Sequence, residues 1–282
     1  MKRVLVIGSN GQLGNDIISN APTNFEIVAH TRSDCDITEK ERTVEFIDSI
    51  RPELIINTAA FHNTDNCEED PMLSFEVNAS AVKDLSEYCE ERGIILAHIS
   101  TDYVFGGKDT GQPYTENSVP SPINTYGISK FAGENMLQNY CESHFLFRIS
   151  SVFGKAGASG KGTNFVYTML NLSEKLEELK VIDDIMMTPT YTVDASRKIW
   201  EILESGAEFG TYHVSNSGMC TWYEFAKRIF SSAGIEQRVL PVTHQEYPTK
   251  AKRPLWSPLS SEKGAHTRSW EEGIDEFVNS IL

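Results

Sequence analysis

An α/β fold, with a doubly wound parallel sheet and a smaller C-terminal lobe, is predicted by three features of the 282-residue sequence. Short apolar or β-branched runs alternate with longer amphipathic segments. The runs are apolar on both faces, as strands covered by helices on each side must be. A glycine-rich turn follows the first run directly. Strands are expected at residues 4–7, 26–29, 54–57, 94–99 and 145–150, with helices at 12–20, 39–50, 72–92 and 130–142 between most of them. After residue 150 the pattern changes. A glycine-rich loop at 155–162 leads to a helix expected from 164 to about 179, then to a strand at 211–215. Two capping boxes, Thr221 to Glu224 and Ser269 to Glu272, each open an amphipathic helix. Pro241, Pro248, Pro254 and Pro258 punctuate an extended loop between those helices.

The composition excludes several function classes. A formal charge of −15, with no Lys/Arg cluster, argues against a nucleic-acid partner, because phosphate binding needs a basic face. Cys35, Cys67, Cys89, Cys141 and Cys220 are scattered, form no CxxC pair and have no histidine at ligand spacing, so reduced thiols and no metal site are expected. The apolar run at 4–7 is too short for a signal segment, and no stretch approaches membrane-spanning length. A cytoplasmic protein with no membrane partner is the expectation.

The turn Gly8-Ser9-Asn10-Gly11-Gln12-Leu13-Gly14 joins the first strand to the first helix, where a Rossmann-type fold binds the pyrophosphate of a dinucleotide. Glycines let the backbone approach the phosphates, whose charge the helix N-terminus favours. The spacing is GxxGxxG, and a tight connection with no ligand is the competing reading. At the end of the second strand an acidic residue would prefer a ribose hydroxyl, and an arginine accommodates a 2′-phosphate. Arg32 therefore suggests NADPH. Asp34 and Asp36 nearby keep NADH as the alternative, and a solvated turn competes for Arg32.

Tyr126 and Lys130 stand at i and i+4, on one helix face. An ammonium there favours the phenolate, so the spacing predicts a tyrosine with a lowered pKa that serves as proton donor in carbonyl reduction. A solvated face is the competing reading of the pair alone.

With these residues the chain resembles the dTDP-4-dehydrorhamnose reductase family, within the extended short-chain dehydrogenases/reductases. The matches run in order along nearly the whole chain: GSNGQLG at 8–14, CDIT at 35–38, NTAAF at 57–61, ISTDYVFGG at 99–107, SPINTYGISKFAGE at 121–134, NF at 164–165, PTY at 189–191, GTYHVSNSG at 210–218 and KRP at 252–254. The resemblance implies NADPH-dependent reduction of a 4-keto nucleotide-diphospho-sugar. Tyr126 would protonate the keto oxygen, Lys130 would lower its pKa and bond the nicotinamide ribose, and Thr101 would hold the same oxygen. Gly8, Gly11 and Gly14, with Asn10, Gln12 and Leu13 between them, would face the pyrophosphate. Asp36 and Ile37 would face the adenine, and Ala59 and Ala60 the adenosine side. Val104 and Phe105 would line the sugar beside the nicotinamide, Asn164 would reach the pyrophosphate or sugar, and Arg253 would pair with the diphosphate. The resemblance also implies a nucleotide-binding domain over 1–150, rejoined at about 189–204, and a substrate-binding lobe over 151–188 and 205–282, with a homodimer as the candidate assembly. The chain departs from the family at His62 and Ser151, where the family usually has threonine and tryptophan, in the 155–162 insertion, and at Ile185 and Met186. Another 4-keto-6-deoxy sugar nucleotide is therefore the alternative substrate. A non-catalytic partner, like the regulatory subunit of methionine adenosyltransferase, is the alternative of a different class.

Overall fold

The structure is a computed structural model and describes residues 1–106, 111–157 and 163–282. The chain begins with β1 (Lys2–Ile7), α1 (Gln12–Ser19), β2 (Phe25–His30), α2 (Lys40–Ile50) and β3 (Leu54–Asn57). Three short turns of helix follow: α3 (Thr64–Glu69), α4 (Pro71–Phe75) and a π-helical turn over Glu76–Ser80 that runs into α5 (Ala81–Arg92). Then come β4 (Ile95–Thr101), a 3-10 turn at Asp102–Val104, α6 (Thr125–Tyr140) and β5 (His144–Ile149). The sheet order is β2-β1-β3-β4-β5, all parallel. Alternate residues of β1 serve opposite faces, as strand geometry requires. Val4 and Val6 enter one core with Ile17 of α1, and Leu5 and Ile7 enter the other with Val82 and Leu85 of α5.

The second half continues with β6 (Val152–Phe153), α7 (Phe165–Ser173), β7 (Glu178–Ile182), β8 (Met186–Met187) and β9 (Thr190–Tyr191). After α8 (Thr192–Glu204) comes β10 (Gly210–His213), which pairs with β5 as the sixth strand of the sheet. That strand lies inside the 205–282 range given to the second lobe by sequence. β11 (Cys220–Thr221), α9 (Trp222–Ala233), β12 (Arg238–Val242) and α10 (Trp270–Asn279) complete the chain. A separate core, with Phe153, Val166, Phe225, Ile229, Ile274 and Phe277 at its centre, unites α7, α9 and α10. Both predicted capping boxes form, at Thr221 with Glu224 and at Ser269 with Glu272.

Three helix boundaries differ from the sequence expectation. The helix expected at 130–142 starts at Thr125, because the Asn124 side chain accepts from the Gly127 N–H and nucleates an earlier turn. The helix expected to run to about 179 stops at Ser173, since 178–182 pairs in parallel with β12. The helix expected over 72–92 is broken by the π turn, which swings the Asn78 carbonyl onto α6. A Cβ at Gly133 would lie 2.0 Å from that oxygen, so only glycine lets the two helices approach so closely. Residues 158–162 of the expected glycine-rich loop lie outside the described residues.

Candidate active site

A cleft of about 1580 Å³ opens at the carboxyl ends of β1, β3 and β4, where the strand order reverses between β1 and β3. Gly8 closes β1 with φ of +79°. A Cβ there would meet Thr58 Oγ1 at 2.6 Å and the Ala59 nitrogen at 2.9 Å, so β1 and β3 can converge only over a glycine. Asn10, Gly11, Gln12, Leu13 and Gly14 line the same end of the cleft. α1 has no side-chain cap, as α2, α5 and α8 also have none, and of these four it is the one whose first residues line the cleft. Its first N–H groups are thus left for an anion, which fits a dinucleotide pyrophosphate.

Beyond the glycine turn the cleft wall holds His30, Arg32, Asp36, Ile37, Ala59 and Ala60. Arg32 is not a free cation. Its Nε donates to Asp36 at 2.8 Å while its side chain stays largely exposed. Burial opposes ionisation of Asp36, but hydrogen bonds from Thr38 and Arg32 outweigh it and hold the carboxyl below its ordinary range.

Deeper in the cleft Thr101, Tyr126 and Lys130 share one wall. Thr101, the last residue of β4, donates to Asp102 Oδ1 at 3.1 Å and accepts from the Tyr103 N–H at 3.2 Å. Lys130 points into the protein, donating to the Ile99 carbonyl at 2.7 Å with His98 Nε2 at 3.0 Å. The helix carrying Tyr126 and Lys130 is anchored by Glu134, which accepts two bonds from Arg148 (2.6 and 3.0 Å) and one from Ser100 (2.5 Å). Asn78 adds a clamp, exchanging hydrogen bonds with the backbone of Phe61 and donating to Ser129 on α6.

The expectation for the Tyr126 pKa is corrected. Burial is the largest influence and drives it up, Asp102 adds to the rise, and the Thr101 hydrogen bond only partly offsets them. Burial also lowers Lys130, to about 8. The resting tyrosine is therefore a phenol, with its proton available to give. Sequence spacing names the partners but not their burial, and burial decides the sign.

The structure places four further residues that the resemblance names. Val104 and Phe105 do not line the cleft. Both are fully buried with Leu259 and Tyr114, and Phe105 stacks on Tyr114 at 4.2 Å, because the 3-10 turn directs them into the core. Asn164 is a structural cap, accepting from the Tyr167 N–H and donating to Gln12 Oε1 (2.9 Å) and the Gly154 carbonyl (2.8 Å). Arg253 does reach the cleft, held by Asp65 at 3.0 Å and hydrogen-bonded to Tyr103. His62, Ser151 and Ile185 line the cleft as well, and Ser151 has φ of +41°.

Asp102, which the sequence reading does not name as a site residue, also lines the cleft. It is buried, and burial raises its carboxyl to about 6 against hydrogen bonds from Ser257, Ser150 and Thr101. Its position next to Thr101 was the available signal. Among the described residues no group of His, Cys, Asp or Glu is placed to hold a metal, and no helix is long and apolar enough to cross a membrane. All five cysteines are free and buried.

The family model described as RmlD substrate binding domain matches residues 1–282. The chain is 36% identical over 283 residues to the spore coat polysaccharide biosynthesis protein SpsK of Bacillus subtilis, covering 99% of this chain and 97% of that protein. It is 34% identical over 298 residues to dTDP-4-dehydrorhamnose reductase of Escherichia coli, covering 99% and 98%. Among solved structures it is similar to the Bacillus anthracis dTDP-4-dehydrorhamnose reductase in complex with NADP, with a TM-score of 0.93, 36% identity and coverage of 99% and 100%.

Proposed function

The chain belongs to the RmlD substrate binding domain family, and from that premise we propose that it is an NADPH-dependent reductase of a 4-keto nucleotide-sugar, with dTDP-4-dehydro-L-rhamnose as its substrate. The observation that carries the reading is the convergence of Thr101, Tyr126 and Lys130 on one wall of the cleft whose other end is the uncapped α1 turn. NADPH, when bound, supplies the hydride. The protein's own residues do the rest. The amides of the glycine turn orient the pyrophosphate, Thr101 fixes the keto oxygen against Tyr126, and the phenol gives up its proton as negative charge develops on that oxygen. Arg253, preset by Asp65 and Tyr103, offers its guanidinium to the substrate diphosphate.

A second reading, reduction of a different 4-keto-6-deoxy nucleotide-sugar, is favoured by Ser151, a small residue at a left-handed backbone position on the sugar side of the cleft. The similarity to SpsK supports keeping it. Both readings predict that Tyr126→Phe retains NADPH affinity while turnover falls about 10²- to 10⁴-fold. NADPH oxidation would be followed with dTDP-4-dehydro-L-rhamnose and with a panel of other keto-sugar nucleotides. An unchanged rate in the variant would sink both readings. A clear preference for another sugar would leave only the second.

A further inference from the structure

Behind the cleft wall a chain of hydrogen bonds runs from a backbone amide to Lys130. The Ala59 N–H donates to Asn57 Oδ1 at 3.1 Å, which leaves Asn57 Nδ2 facing His98 Nδ1 at 3.2 Å. His98 Nε2 lies 3.0 Å from Lys130 Nζ, and Nζ donates to the Ile99 carbonyl. Asn57 and His98 are fully buried register partners on β3 and β4, and Lys130 is almost fully buried. The polarity of this chain is set at its far end. A backbone N–H can only donate, so the Asn57 oxygen must face Ala59 and its amide hydrogens must face His98. A neutral imidazole has one N–H and one lone pair. Its lone pair is taken at Nδ1, so its proton sits on Nε2 and points at Lys130. An ammonium offers donors only, whereas an amine offers a lone pair.

We propose that His98 is a positioning residue that holds Lys130 as the neutral amine in the cofactor-free protein, through the Nε2–H tautomer that Asn57 imposes.

The alternative is a flipped Asn57, with its amide nitrogen against the Ala59 N–H and an ammonium donating to His98 Nε2. Two buried donors then face each other, which costs roughly five- to hundred-fold in population. Burial, partly offset by Glu134, brings Lys130 to about 8, so becoming an amine at pH 7 costs about tenfold. The hydrogen-bond polarity therefore favours the amine in most of that range. His98 itself does not charge, since burial pushes its pKa well below the usual histidine value. The groups facing Lys130 are His98 from β4 and Glu134 from its own helix, and Glu134 is already paired with Arg148. The consequence for turnover rests on the proposed function. An uncharged Lys130 leaves Tyr126 as a phenol, so the proton is retained until cofactor and keto-sugar are in place.

The test is nuclear magnetic resonance on the cofactor-free protein, reading the His98 tautomer from its ¹⁵N shifts and the Lys130 charge from its Cε shift. Expected are a protonated Nε2, a bare Nδ1 and an amine at about pH 7.5. In Asn57→Asp the carboxylate accepts from Nδ1–H, Nε2 becomes an acceptor, and the Lys130 titration moves up by about one pH unit or more. The Nδ1–H tautomer or an imidazolium in the natural protein, an ammonium at that pH, or an unmoved titration in the variant would each overturn the proposal. If Asn57→Asp does not fold, the tautomer and charge of the natural protein decide alone. No substrate is used, so failure to reduce any keto-sugar would remove the reductase reading and leave this result standing.

Discussion

The two walls of the cleft are built on different principles. The sheet wall presents Thr101, Tyr126 and Lys130 from a strand end and a long helix that are tied in depth by Glu134, Arg148, Ser100, Asn78 and Ser129. The lobe wall presents Ser151, Ile185 and Leu255 beside two-residue strands and the 244–255 stretch, where Tyr247 and Leu255 are largely exposed. Reaction chemistry needs fixed geometry, and under the proposed function the buried network would supply it. Under the proposed function the other wall would meet the sugar, and short elements with few buried partners would let it change.

Removing a charge from the sheet wall is the severest way to break this contrast. Glu134→Ala should lower unfolding stability by about 3–5 kcal/mol, because Arg148 is left buried and unpaired. Urea denaturation measures it. A loss under about 1 kcal/mol, the level of an exposed pair, would mean that the two walls are held equally loosely.

A smaller effect comes from Asp102. Its folded carboxyl titrates at about 6, above the unfolded value near 4. The folded state therefore binds the extra proton between those values, and stability falls as pH rises from about 4 to about 6, by about 3 kcal/mol in all. Asp102→Asn should abolish that slope in chemical denaturation across the same pH window. Persistence of the slope would assign it to other carboxyls.

The mildest probe addresses the lobe wall. Ser151→Trp should change the ratio of kcat/KM between two keto-sugar nucleotides by about 10- to 200-fold. An unchanged ratio would show that this wall does not read the sugar.

Much of the sheet wall was legible in the sequence. The glycine turn makes local demands on the backbone, and the Tyr126 to Lys130 spacing is a local property of a helix. The misreadings lie where tertiary packing decides. Nothing in the string STDYVF says that the turn after Thr101 sends Val104 and Phe105 inward. Asn164 precedes a helix, and its capping of α7 follows from that local position, which the family match does not bring out. The π turn sits in a run whose composition is helical throughout, and its Asn78 carbonyl packs on a neighbour more than fifty residues away, Gly133.

That neighbour, Gly133, has a counterpart at Gly127, where a Cβ would lie 2.1 Å from the Tyr103 carbonyl oxygen. Together they leave α6 flush against backbone at two points six positions apart. For anyone diversifying this protein by directed evolution, those two positions divide the gene: libraries on the lobe wall can be wide, whereas any library crossing α6 should return glycine at both.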